Sequence, residues 1–236
     1  MLNDMKLSHE TLAAFQNALA REQRTLPFAM HVNVLTAIYW PVSAPATPVV
    51  WPEELRDAIE AVNERIYPNF NNGVYRAGFA GSQEAYEKAY DRLWTAMDWL
   101  EERLADRRYL MGDHITEADV RLFTTLVRFD PVYHGHFKAS RNKLSEMPNL
   151  WAYARDLFTT PGFGDTVDFQ QIKEHYYIVH EDLNPTQIVP VGPSLENWLE
   201  PHGREALGGS PFGDGTAPGP VRPDERVDPA HTPLAV

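Results

Sequence analysis

The run Ile115-Thr116-Glu117-Ala118-Asp119-Val120 constrains this chain more than any other, because it fixes where a helix must begin. Thr116 is placed to cap that helix, Asp119 to reach back to the capping residue, and Ile115 to staple to Val120. The residues that follow, Val120, Phe123, Leu126 and Val127, make the helix apolar around most of its circumference. Such a helix has no solvent face, so it is expected at the centre of its domain, ending at Pro131.

Other segments supply the partners. Leu55, Ile59, Val62 and Ile66 recur at helical spacing and stop before Pro68, and the polar stretch Asn69 to Gly73 reads as an irregular turn before Tyr75. A longer helix is expected from about Ser82 to Leu104, with Tyr86, Tyr90, Leu93, Trp94, Met97, Leu100 and Leu104 as its stripe. Another runs from Asn149 to Phe158, halted by Pro161 and Gly162, and a last one starts near Asp168 with Ile172, Tyr176 and Val179 on one face. Together these predict an all-α helical bundle over residues 53–207. Residues 1–52 form a separate N-terminal segment, in which 8–22 reads as a short helix, Phe28 to Trp40 is rich in strand formers, and 41–52 is a proline-broken linker. Ten of the 19 prolines lie in 181–236, and residues 208–236 have the composition of a disordered tail.

The charge balance narrows the partners. With 33 acidic against 21 basic residues and a net charge of -12, the chain is poorly suited to nucleic acid or anionic membrane surfaces. Its most apolar run, Phe28 to Trp40, is too short for the roughly 20 residues of a membrane helix. No secretory signal pattern opens the chain, and a cytoplasmic location is expected. There is no cysteine, so disulfides, thiolate metal sites and a cysteine nucleophile are excluded for these residues acting alone.

Longer motifs add a resemblance. Asn71-Asn72-Gly73-Val74-Tyr75-Arg76-Ala77-Gly78-Phe79-Ala80, the run Leu122 to Tyr133, His175-Tyr176-Tyr177, Asn184-Pro185-Thr186, Gly192-Pro193 and Glu200-Pro201-His202-Gly203-Arg204 resemble signature stretches of the glutathionyl-hydroquinone reductases. These are Xi-class relatives of the glutathione transferases, and the likeness spans about residues 51–204. It implies the C-terminal helical domain of that family, a quinone-like aromatic or glutathionylated small molecule as substrate, glutathione as co-substrate, and a homodimer. It also implies roles: Tyr75 as the proton donor or acceptor on the aromatic substrate, Tyr133 and Tyr176 as supports for a thiolate. A neutral phenol is a hydrogen-bond donor able to stabilise such an anion. Two departures bear on this. Residues 1–50 do not resemble the thioredoxin-like domain that carries the family's cysteine, and Ala139 stands where members often have a second cysteine. The family's reaction is therefore expected to be impaired in this chain, and a non-catalytic dimerisation or interaction module is the alternative.

Plainer roles stand beside these. Tyr75 could close a loop, Tyr133 could staple a helix end, and Tyr176 could be core. His134 with His136, and His175 with His180, invite a metal reading, but the second pair lies roughly 140° apart around a helix, and no metal is expected. Trp94, Trp99 and Trp151 could line an aromatic pocket, although aromatics at helical spacing are more often core.

Overall fold

In the computed structural model, residues 50–193 and 196–213 are described. The expected helix at 8–22, the apolar stretch 28–40, most of the linker and residues 214–236 lie outside them. Six α-helices occur among the described residues: α1 Arg56–Ile66, α2 Gly73–Gly78, α3 Gln83–Arg103, α4 Glu117–Arg128, α5 Pro148–Thr159 and α6 Phe169–Val179. Short 3-10 turns join several of them, and no strand is present among the described residues. The described residues are thus all-α, as their periodicity requires.

Helix α4 is the axis. Nine of its residues, from Ala118 to Val127, are buried, and α1, α5 and two π turns pack on it. Its start is held as the sequence implies. Asp119 Oδ2 accepts from the Thr116 N–H at 2.8 Å and from its hydroxyl at 2.9 Å, while Oδ1 accepts from the Leu110 N–H at 2.9 Å and the Tyr153 hydroxyl at 2.6 Å. Burial pushes the Asp119 carboxyl upward and these four donors pull it back. One carboxylate therefore joins the α4 N-terminus, the loop before it and α5. At the other helices, Ser82 caps α3 through the Ala85 N–H and Asp168 caps α6 through the Gln171 N–H.

The two proline stops are not stops. Tyr67–Asn71 and Phe129–Tyr133 continue α1 and α4 as π turns, closed by Asn72 N–H to Tyr67 O at 2.9 Å and His134 N–H to Phe129 O at 2.8 Å. A wider turn passes over the backbone donor that Pro68 and Pro131 lack. The expected loop at Asn69 to Gly73 is consequently helical. Asn71 is buried, and its amide donates to Thr125 Oγ1 at 2.6 Å and Arg121 O at 3.0 Å, pinning the first π turn to α4.

Two further expectations are modified. Ile172 and Tyr176 face the core from α6, but Val179 is exposed because the last turn overhangs the bundle. Residues 208–213, assigned to the tail on composition, pack on the loop before α4: Arg108 donates to Gly209 O, Ser210 N–H to Asp113 O and Ile115 N–H to Pro211 O. Gly209 makes this approach with φ +76°, where a Cβ would overlap the Asp113 backbone. Just upstream, the buried Arg204 guanidinium donates to Leu104, Arg107, Arg108 and Asn149 carbonyls, closing the C-terminal end of α3.

Asp119→Ala strands several buried donors at once, and the expected loss is about 3 kcal/mol or more. Urea unfolding followed by far-UV circular dichroism measures it; a loss below about 1 kcal/mol would mean the carboxylate does not organise the bundle.

Candidate functional site

The π turns bring together the three tyrosines singled out above. The first turn leads into α2, which carries Tyr75; the second ends on Tyr133; Tyr176 projects from α6, which packs on that second turn. Their hydroxyls form a closed triangle: Tyr75 to Tyr176 at 2.5 Å, Tyr133 to Tyr176 at 2.9 Å and Tyr75 to Tyr133 at 3.2 Å. Each hydroxyl can donate to one neighbour and accept from the other. Tyr133 and Tyr176 are buried, and Tyr75, partly buried, is the least covered of the three.

Burial, then the neighbouring phenols, push the Tyr133 hydroxyl well above the ordinary tyrosine value, and burial does the same to Tyr176. Both stay protonated and remain donors. Arg128, at the end of α4, acts in the opposite sense: its charge pulls both phenols down, and its guanidinium is held by Thr124 O at 2.7 Å. A negative charge developing at Tyr75 would thus face two phenols able to turn their O–H groups from one another toward it, with the Arg128 cation nearby.

Phe137 is the floor of this cluster. Its ring lies 5.2 Å from Tyr75, 5.4 Å from Tyr133 and 5.8 Å from Tyr176, measured between centroids. Gly78 permits this, since a Cβ there would overlap the Phe137 ring. The exposed Phe79 leans edge-on against Phe137 and His180. Phe137, Phe79 and Arg128 were not singled out from the sequence. The signal available for Phe137 was its place four residues after Tyr133.

The other candidates go elsewhere. Trp94 is core beneath Arg141, Trp99 packs under Arg65 and Arg103, and Trp151 meets Trp198. The histidines pair across elements: His136 Nε2 lies 3.1 Å from His180 Nδ1. No group of three or more His, Cys, Asp or Glu among the described residues is arranged to hold a metal ion. No helix among them is long and apolar enough to cross a membrane. Ala139 is buried, its N–H donating to Tyr133 O.

Residues 83–156 match the family model described as glutathione S-transferase, C-terminal domain. The glutathionyl-hydroquinone reductase PcpF of Sphingobium chlorophenolicum is 49% identical over 144 residues, covering 61% of this chain and 46% of that protein. A crystal structure of a glutathione transferase from Gordonia bronchialis is 70% identical with a TM-score of 0.76, covering 77% of this chain and 57% of that one. The glutathione-bound structure of the Escherichia coli homologue YqjG is 46% identical with a TM-score of 0.64, covering 66% of this chain and 50% of that one. The chain spans about half the length of the curated relatives it matches.

Gly78→Ala tests whether Phe137 supports the tyrosines. Forcing the ring aside is expected to cost about 1–3 kcal/mol and to alter tyrosine near-UV circular dichroism while far-UV helicity persists. An unchanged near-UV spectrum would separate Phe137 from the triangle.

Proposed function

We propose a function for a chain whose described part is a glutathione S-transferase C-terminal domain resembling that of the glutathionyl-hydroquinone reductases: it supplies the aromatic-substrate side of a site for glutathione-dependent reduction of glutathionyl-hydroquinones. The observation that carries this reading is the phenol triangle, in which Tyr75 is the least buried member and two protonated phenols stand behind it.

In the proposed reaction a thiolate attacks the sulfur of the conjugate. A sulfur–sulfur bond forms, the carbon–sulfur bond to the ring breaks, and the ring carbon takes up a proton as hydroquinone leaves. A second glutathione then resolves the mixed disulfide. Tyr75 handles the proton on the aromatic substrate, and if it gives up its own, the phenolate left behind accepts hydrogen bonds from Tyr133 and Tyr176. The same two phenols, with Arg128 beside them, would steady a thiolate brought to the triangle. These 236 residues contain no cysteine, so the attacking thiol comes from glutathione itself or from another polypeptide segment. Activity of this chain alone is accordingly expected to be weak or absent. A cytoplasmic setting, where glutathione keeps thiols reduced, fits the chemistry.

A second reading rests on a different observation. Phe79, Ile178, Val179, Ile188 and Val191 expose large apolar side chains, which suits a helical module that associates with itself without turnover.

Glutathione-dependent reduction of a glutathionyl-hydroquinone, run beside Tyr75→Phe and a protein-free blank, separates the two. Turnover that falls about 10²-fold in Tyr75→Phe supports the phenol as general acid. Rates equal to the blank, with no saturable glutathione binding but a stable dimer in sedimentation, would overturn it in favour of the module.

A further inference from the structure

Just beyond the two elements that carry Tyr133 and Tyr176, the chain meets itself a second time. Three residues beyond Tyr133 stands His136, four residues beyond Tyr176 stands His180, and their rings touch through His136 Nε2 and His180 Nδ1 at 3.1 Å. The two ring planes differ by 13° and the centroids are 5.3 Å apart. For imidazoles of ordinary size, that separation is close to the largest a 3.1 Å nitrogen contact allows, so both nitrogens lie on the line joining the rings. An N–H of one therefore points at the lone pair of the other. A shared metal ion would instead need both lone pairs to converge on a third point, which this alignment does not provide.

The pair is built into the tyrosine cluster. Phe137 lies between the two contacts, with its ring 5.4 Å from His136, 5.7 Å from His180 and 5.8 Å from Tyr176. Tyr177 flanks His136 at 4.5 Å and Phe79 covers His180 at 5.0 Å. We infer that His136 and His180 are positioning residues, a second rung between the π turn and α6 that sets the separation of the Tyr133 and Tyr176 phenols and opens when both rings are protonated.

The logic is one of proton count. A neutral pair has one N–H and one lone pair in the contact, and a singly protonated pair keeps both. Only a doubly protonated pair sets donor against donor and cation against cation. Burial, then the charges of His180 and Lys138, push the His136 imidazole down to about 4; burial, then His175, lower His180. Among the described residues, Lys138 from the turn and His175 from α6 are the groups whose charge reaches the pair; Tyr176 and Tyr177 also face it, and the end of α2 contributes the uncharged Phe79. Because the folded values lie below the ordinary value of about 6.5, the unfolded chain binds more protons between the two. The stabilisation is complete above about 6.5 and is lost as the pH falls toward about 4.

The test uses the full chain labelled at tyrosine 13Cζ, with the triangle resonances assigned from Tyr75→Phe, Tyr133→Phe and Tyr176→Phe. In His136→Gln/His180→Asn the amides stand where the facing nitrogens stood, retaining a hydrogen bond that cannot titrate. The wild type is expected to lose its triangle shifts as pH falls through about 4, and the double variant to keep them. His180→Leu, which removes the rung without adding charge, should move them at pH 7, where far-UV circular dichroism checks that the helices persist. Triangle resonances unmoved in folded His180→Leu, or lost at the same pH in the amide variant as in the wild type, would overturn the proposal. The readout needs no turnover, so it stands or falls separately from the proposed reaction.

Discussion

A single buried carboxylate sets the frame on which the rest depends. Asp119 receives the Thr116 backbone and hydroxyl, the Leu110 N–H and the Tyr153 hydroxyl, so the direction of α4, the loop before it and the approach of α5 are decided at one point. A buried acceptor that loses its donors is costly, and donors that lose their acceptor are equally so. The arrangement therefore tolerates few alternatives. Once α4 is fixed, Asn71 can pin the first π turn to it and Arg128 can sit beside the second.

The π turns convert that frame into a candidate site. Each continues a helix past a proline, and each delivers a tyrosine toward α6: Tyr75 through α2 and Tyr133 directly. An α turn at either place would rotate the following residues and part hydroxyls that now lie within 3.2 Å of one another. Wider turns recur at functional positions for this reason, since they trade local regularity for the placement of a side chain. Gly78 and Phe137 complete the placement by letting α2 approach the second turn closely.

Much of this was legible in the sequence, and the parts that were not share a cause. The cap at Thr116 was readable because capping is local, with donor, acceptor and spacing within four residues, and the helix starts expected near Ser82 and Asp168 prove to be capped by those residues. The stripe on α3 and the all-round burial of α4 followed from periodicity. Tyr75, Tyr133 and Tyr176 were identified through resemblance, yet nothing in their spacing says they meet, because they are brought together across as many as 101 positions. Periodicity shows which face of a helix is buried, not which helix it crosses. Hence the histidines were paired with their sequence neighbours, while the contact formed is between His136 and His180, 44 positions apart. Pro68 and Pro131 were read as breakers because a missing donor normally ends an α-helix; that a π turn can carry the chain past it depends on tertiary packing.

The phenol triangle is the proposed place where an aromatic substrate binds. The most direct measurement is a crystal structure of this chain with a non-reactive thioether analogue of a glutathionyl-hydroquinone. The expected result is a ring oxygen of the ligand within hydrogen-bond reach of Tyr75, with the Tyr133 and Tyr176 hydroxyls still joined behind it. A ligand seated elsewhere, or three tyrosine hydroxyls standing apart, would contradict it.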